Sequence, residues 1–148
     1  MIIAIGSDHR GFLLKHDVIG FLRKKGNTIV DKGTHNEDSA DYPIFGFRVA
    51  NMVKQKKAKY GILICYSGQG MAMSVNRVNG IRAAIAWNKQ VAQLARAHNN
   101  ANIIVLPAGF IKKPNQWKDI ILTFLQTKFE GGRHQRRLEI ISKYENKR

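Results

Sequence analysis

Ile62-Leu63-Ile64-Cys65-Tyr66-Ser67-Gly68-Gln69-Gly70-Met71-Ala72-Met73 is the stretch whose reading decides the fold. Ile62 to Cys65 is an apolar run too short for a helix, and the turn signal behind it marks a buried strand. Ser67-Gly68-Gln69-Gly70 then stops that strand. Glycines let backbone N–H groups converge, and a following helix adds the positive end of its dipole, so the turn suits an anion. As a nucleotide fingerprint it is weak, because a third glycine and a Walker lysine-serine pair are both missing. Its anion could equally be an oxyanion formed during a reaction, or the glycines could simply let strand meet helix.

The same alternation runs outward in both directions. Ile2 to Ile5, Thr28 to Val30, Arg82 to Ala86 and Ile103 to Leu106 have the length and β-branched content of buried strands. Between them, Leu14, Val18, Phe21 and Leu22 fall at helical spacing ahead of Gly26, and Phe45, Val49, Met52 and Val53 repeat it behind Pro43. Val91, Leu94 and Ala95 mark another helix, and Trp117, Ile120, Ile121, Phe124 and Leu125 a further one. The order βαβαβαβαβα predicts an α/β fold: a Rossmann-like three-layer sandwich with a mostly parallel five-stranded sheet and right-handed crossovers. Glu130-Gly131-Gly132 sets off an extra, strongly charged C-terminal helix, expected over 133–144.

The chain of 148 residues suits one domain, expected over 1–148. At 44% hydrophobic and 24% charged, it can bury a core, which excludes a disordered or fibrous chain. Cys65 is the single cysteine, so an intramolecular disulfide framework and a multi-cysteine metal centre are both excluded. That usage predicts the reducing cytoplasm. No apolar run approaches a bilayer span, and the opening Met1 to Ile5 reaches Asp8 too soon for a signal-peptide core, so no membrane partner is expected. Lys+Arg 25 against Asp+Glu 10 gives a net charge of +15. Such a balance invites RNA or another polyanion. The densest run, Lys54-Gln55-Lys56-Lys57-Ala58-Lys59, falls between a helix and a strand without a binding motif, and a solvated turn is its ordinary explanation.

Ligands of open parallel sheets bind beyond the carboxyl ends of the strands, which here are polar. Gly6-Ser7-Asp8-His9-Arg10-Gly11 follows the first strand and Asp31-Lys32-Gly33-Thr34 the second. Cys65 ends the central strand beside the glycine turn, where a helix N-terminus and cations lower a thiol pKa; the alternative is a small buried hydrophobe. Asp8 and His9 fit a general acid/base pair, and Asp8 also fits a helix cap. His98 is a candidate proton carrier or a dipole-facing histidine. It closes a helix with Asn99 and Asn100, an end that faces the opposite sheet edge, so a tight turn or a neighbouring subunit would have to deliver it. Arg133 and Arg137 are four apart on one helix face, which suits a phosphate or carboxylate and also a solvated basic face.

Taken together, these residues resemble the ribose-5-phosphate isomerase B family, which includes allose- and galactose-6-phosphate isomerases. The resemblance runs nearly the full length: Gly6 to Phe12, Lys15-His16, Asp31 to Thr34, Asp41-Tyr42-Pro43, Cys65 to Gly70, Asn79 to Ala83, His98-Asn99 and Glu130 to Gln135. It implies metal-independent aldose–ketose isomerisation of a sugar phosphate through an enediolate, without a cofactor; ribose 5-phosphate is the first expectation and allose or galactose 6-phosphate the alternative. The residue matching Cys65 shuttles the proton, and the loop matching Tyr66, Ser67, Gly68, Gln69 and Gly70 holds the enediolate oxygen. Asp8 and His9 match substrate contacts, His98 the ring-opening histidine with Asn99 beside it, and Arg133 and Arg137 phosphate-binding arginines. The resemblance also implies a homodimer or dimer of dimers with shared sites, the C-terminal helix contributing to the dimer. A different class, a noncatalytic basic α/β module binding RNA or another polyanion, is the contrasting expectation, separated by salt-dependent RNA binding without isomerase activity. Departures are specific. Tyr66 stands where the family has glycine, and Ser67 keeps the hydroxyl of the usual threonine. Pro107-Ala108-Gly109-Phe110 replaces a glycine-rich segment that ends in arginine, leaving Lys112 or Lys113 as the expected, looser substitute.

Overall fold

The computed structural model describes residues 1–147; Arg148, the last residue of the expected 1–148 domain, lies outside them. Five strands, β1 (Ile2–Ser7), β2 (Thr28–Asp31), β3 (Tyr60–Cys65), β4 (Ala83–Ile85) and β5 (Ile103–Pro107), form one sheet in the order β2-β1-β3-β5-β4. Every pairing is parallel, with Ala4 opposite Val30 and Gly61, and Leu63 opposite Val105. The runs expected from the sequence are these strands, lengthened or trimmed by one or two residues. β3 is buried along its whole length, as a central strand covered on both faces must be.

Six helices cover the sheet: α1 (Phe12–Lys24), α2 (Tyr42–Lys54), α3 (Gln69–Val75), α4 (Lys89–Ala97), α5 (Gln116–Gln126) and α6 (Arg133–Glu145). Alternate strand residues point to opposite faces, so the core divides in two. Ile3, Ile5, Ile62, Ile64 and Ile104 pack with α1, α4 and α5, while Ala4, Leu63, Cys65, Ile103 and Val105 pack with α2 and α3. Gly26 ends α1 with φ +80, and Pro43 sits in the first turn of α2, both as the sequence indicates. Leu138 and His134 form the buried side of α6. Near its end, Glu145 accepts the Gly80 N–H at 3.2 Å, so the helix folds back on its own sheet.

The most consequential polar contact lies inside this core. Lys15 of α1 is fully buried, yet its ammonium donates to both carboxylate oxygens of Asp31, at 2.7 and 2.8 Å, and to the Thr34 carbonyl. A buried cation is tolerated only when paired and hydrogen-bonded, and these three acceptors supply that. The β2 loop is thereby tied to α1. Gly33 and Thr34 in turn exchange backbone hydrogen bonds with Ser7, fixing the end of β1. Lys15→Met should therefore destabilise the protein by about 3 kcal/mol, the low end of the cost of orphaning a buried partner because Asp31 retains some solvent contact. The urea midpoint checks this, and an unchanged midpoint would make the ion pair dispensable.

Candidate functional site

β1 leads to α1 on one face, and its neighbour β3 leads to α3 on the other. The chain parts between their carboxyl ends, where open α/β sheets leave a crevice. Two expected groups meet there. Asp8 follows β1, is nearly buried, and its Oδ1 accepts the N–H groups of Arg10 and Gly11, each at 3.0 Å. It caps a short 3-10 turn, His9–Gly11, immediately ahead of α1. Gly11 is required at this close approach, since a Cβ would come within 2.5 Å of the Ile64 carbonyl oxygen. His9 receives the Ala40 N–H at Nδ1 over 3.3 Å, which leaves Nε2 as the protonated nitrogen of the neutral ring.

Cys65 closes β3, 5% exposed, and its Sγ receives the Gly68 N–H at 3.2 Å. Gly68 reaches that position with φ +80, in the left-handed region that favours glycine. Burial pushes the Cys65 thiol pKa up, with the Gly68 N–H opposing and the Asp8 carboxylate reinforcing the rise. Of the two sequence readings of Cys65, an activated thiol and a small buried hydrophobe, desolvation favours the second in the free protein. Ser67 Oγ accepts the Gln69 N–H at 3.3 Å, so part of the turn's donor set is satisfied internally. Gly70 lies against the Tyr42 ring, where any Cβ would overlap it. Tyr42 thus borders the turn. The sequence marks it only within Asp41-Tyr42-Pro43, because its position depends on how α2 lands beside α3.

His98, Asn99, Arg133 and Arg137 are at the other edge. His98 caps the end of α4, and the next residues lead into the start of β5, where the Gly61 N–H at the start of β3 meets the Asn102 carbonyl at 2.9 Å. Glu130 Oε2 lies 3.7 Å from His98 Nε2 and 3.6 Å from His134 Nε2. The two imidazoles stack with centroids 4.1 Å apart and planes 10° from parallel. The sequence marks His134 only within Glu130 to Gln135 and gives it no role; its i, i+4 spacing from Glu130 is the further signal. Burial holds its pKa below the ordinary imidazole range, and His98 and Arg133 add to that. Three ligand-type atoms within 4.8 Å fit a divalent ion by composition. Neither histidine comes within hydrogen-bond distance of Glu130, so the three groups form a loose cluster held by the ring stack.

Volume does not mark the site. A hollow of about 720 Å³ lies between Lys54, Lys57, Lys59 and Asn102 and contains none of the expected catalytic or substrate-binding residues. A hollow of about 500 Å³ adjoins the glycine turn, walled by Ser67, Gln69, Ile85, Trp87, Pro107 and Phe110.

Residues 3–141 match the family model for Ribose/Galactose Isomerase. The chain belongs to that family. A ribose-5-phosphate isomerase B from Escherichia coli is 38% identical over 99% of this chain and 97% of its own length. A putative sugar phosphate isomerase from Rickettsia bellii is 48% identical over 92% and 94%. Among solved structures, ribose-5-phosphate isomerase B from Clostridium thermocellum superposes with a TM-score of 0.97 at 43% identity, covering 99% of both chains. The Mycoplasma genitalium ribose-5-phosphate isomerase B with bound ribulose-5-phosphate gives 0.94 at 40% identity, covering 99% of this chain and 97% of its own. The Rossmann-like fold of this ribose/galactose isomerase family member is thus the fold of the family, and the chain is an isomerase. No helix among the described residues is long and apolar enough to cross a membrane.

The raised thiol gives a pH expectation. Iodoacetamide alkylation of Cys65 in the free protein should keep accelerating as pH rises past the ordinary thiol pKa, because only the thiolate reacts. A rate that levels off near neutral pH would mean that the turn lowers the thiol pKa after all.

Proposed function

We propose that the chain interconverts ribose 5-phosphate and ribulose 5-phosphate, with Cys65 as the base. The thiolate takes the C2 proton of the open-chain aldose, the electron pair moves to C1–C2, and the carbonyl oxygen becomes the enediolate oxygen. The same thiol returns the proton to C1, C2 becomes the carbonyl carbon, and the hydroxyl proton moves between the oxygens. A carbon acid yields its proton only if the growing oxyanion is stabilised in the same step, and the Ser67–Gly70 turn lies where that charge would form. The observation that carries this reading is the Cys65 thiol, which accepts the Gly68 N–H of the glycine turn at 3.2 Å, at the end of β3 beside the β1 end that Asp8 follows. Asp8 and His9 would contact the sugar there.

The remaining roles require a second copy. His98 as ring-opening acid, Asn99 beside it, and Arg133 and Arg137 as phosphate ligands lie at the sheet edge away from Cys65. An isologous dimer brings such opposite edges together in pairs. Ile140 and Ile141 on α6, 63% and 50% exposed, offer apolar surface for that contact. The lone thiol suits a reducing cytoplasm.

An assay on ribose 5-phosphate, allose 6-phosphate and galactose 6-phosphate tests the substrate, with ribose 5-phosphate expected to have the highest kcat/KM. Turnover of a hexose phosphate alone would move the substrate and keep the chemistry. Cys65→Ala should lower kcat by about 10²–10⁴-fold or more with the fold intact. His98→Asn should slow the cyclic aldose more than the open-chain ketose, in initial rates limited by chemistry. Refolding those two variants together should restore about a quarter of wild-type activity, since half the dimers then contain one complete site of two. No restoration would place both residues in one subunit's site.

A further inference from the structure

Arg10 has no carboxylate within ion-pair reach among the described residues, yet its guanidinium is held in place. Its Cζ lies 3.7 Å from the centroid of the Tyr66 ring. That ring is itself braced. It lies on Gly109, where any side chain would collide with the ring carbons, and its centroid is 5.8 Å from that of Phe110. The Tyr66 carbonyl also accepts the Gly109 N–H at 2.9 Å. At the root of the side chain, the Arg10 N–H donates to Asp8. Arg10 follows β1, Tyr66 follows β3, and Gly109 and Phe110 follow β5, so one stack runs across the carboxyl ends of three adjacent strands.

An exposed arginine ordinarily samples many rotamers and loses that freedom on binding. Stacking occupies the flat face of the guanidinium and leaves its N–H edge for a ligand, whose oxygens it matches as a planar fork. The stack therefore presents a preorganised cation beside His9 and the Cys65 turn. The Pro107-Ala108-Gly109-Phe110 segment stands where the family resemblance implies an arginine. Of the substitutes expected from sequence, Lys113 lines a separate hollow with Asn88, Lys89 and Lys118.

We propose that Arg10 binds the phosphate group of the sugar-phosphate substrate and that Tyr66 is its positioning residue. The glycine-to-tyrosine departure and the absent arginine are then two halves of one exchange. This rests on the isomerase reading above, and the test separates the two.

Arg10→Ala, Tyr66→Gly and Tyr66→Phe are compared by steady-state kinetics on ribose 5-phosphate and by calorimetric titration with inorganic phosphate, with circular dichroism confirming each fold. Arg10→Ala should raise KM and the phosphate Kd together by roughly tenfold, as loss of a charge-assisted contact requires, while kcat stays within about threefold. Tyr66→Gly should lose part of the same affinity. Tyr66→Phe keeps the ring and should retain it, and adding Tyr66→Gly to Arg10→Ala should cost little more. If Arg10→Ala leaves both KM and phosphate Kd within about twofold, Arg10 is a screened surface cation and the proposal is overturned. A Tyr66→Phe variant as impaired as Tyr66→Gly would overturn the positioning role. If the wild-type protein turns over no sugar phosphate, the isomerase reading fails, and the phosphate titrations alone decide whether Arg10 binds the anion.

Discussion

The ion pair between Lys15 and Asp31 sets the geometry on which the carboxyl edge depends. Lys15 sits on the buried face of a helix, a position that hydrophobic patterning assigns to an aliphatic residue, and it is fully buried there. An ammonium in that position needs acceptors on more than one side. Asp31 and the Thr34 carbonyl provide them from the β2 loop. The loop is thereby pulled against the end of β1, where the Ser7 N–H meets the Gly33 carbonyl at 2.6 Å and the Thr34 N–H meets the Ser7 carbonyl at 2.8 Å. Asp8, the next residue, thus leaves the sheet with its direction fixed from two sides. A hydrophobic pair could fill the same volume, but it would not specify which carbonyl lies where.

Close approach is the second constraint. Gly11 brings the start of α1 against the Ile64 backbone, Gly70 brings α3 against Tyr42, and Gly109 accepts the Tyr66 ring. Each glycine removes a side chain where two segments meet at this edge, so the site is built from backbone as much as from side chains. Tyr66 shows how far this can be altered. A ring introduced into the turn needs space, and Gly109 supplies it without moving β5, whose Pro107 stays in register with Cys65.

The strands and the helical stripes were legible in the sequence because period and length depend on local chemistry alone. The all-parallel order β2-β1-β3-β5-β4 was legible only in class, since nothing local says which edge a strand joins. Among the expected site residues, Asp8, Cys65 and the glycine turn lie at one edge because they directly follow strands, and strand ends converge in this topology. Tyr42 and His134 stand in quoted motifs without a role of their own, and the neighbours of Arg10 are not legible there at all. Each depends on a contact between distant segments: Tyr42 with Gly70, His134 with His98, and Arg10 with Tyr66. The thiol's direction was left open by the sequence, which offered both an activated thiol and a small buried hydrophobe. A helix N-terminus predicts a lowered pKa, whereas burial inside the α2/α3 core wins in the folded chain.

Parallel sheets impose one more consequence on the chemistry. Their connecting helices run opposite to the strands, so a residue at a helix C-terminus is about one strand length from a residue at a strand C-terminus. For β3, with six residues at about 3.3 Å each, that separation is roughly 15–20 Å. No side chain spans such a distance, and no rotamer change brings the end of α4 to the end of β3. The Glu130-Gly131-Gly132 break holds the start of α6 at the same edge, where the Glu130 N–H meets the Ala97 carbonyl at 3.0 Å beside His98. A reaction that needs both the thiol and this basic cluster must therefore join two sheet edges. Two copies related by a twofold axis do so twice with a single interface, which gives this small fold a route to an enclosed site without a second domain.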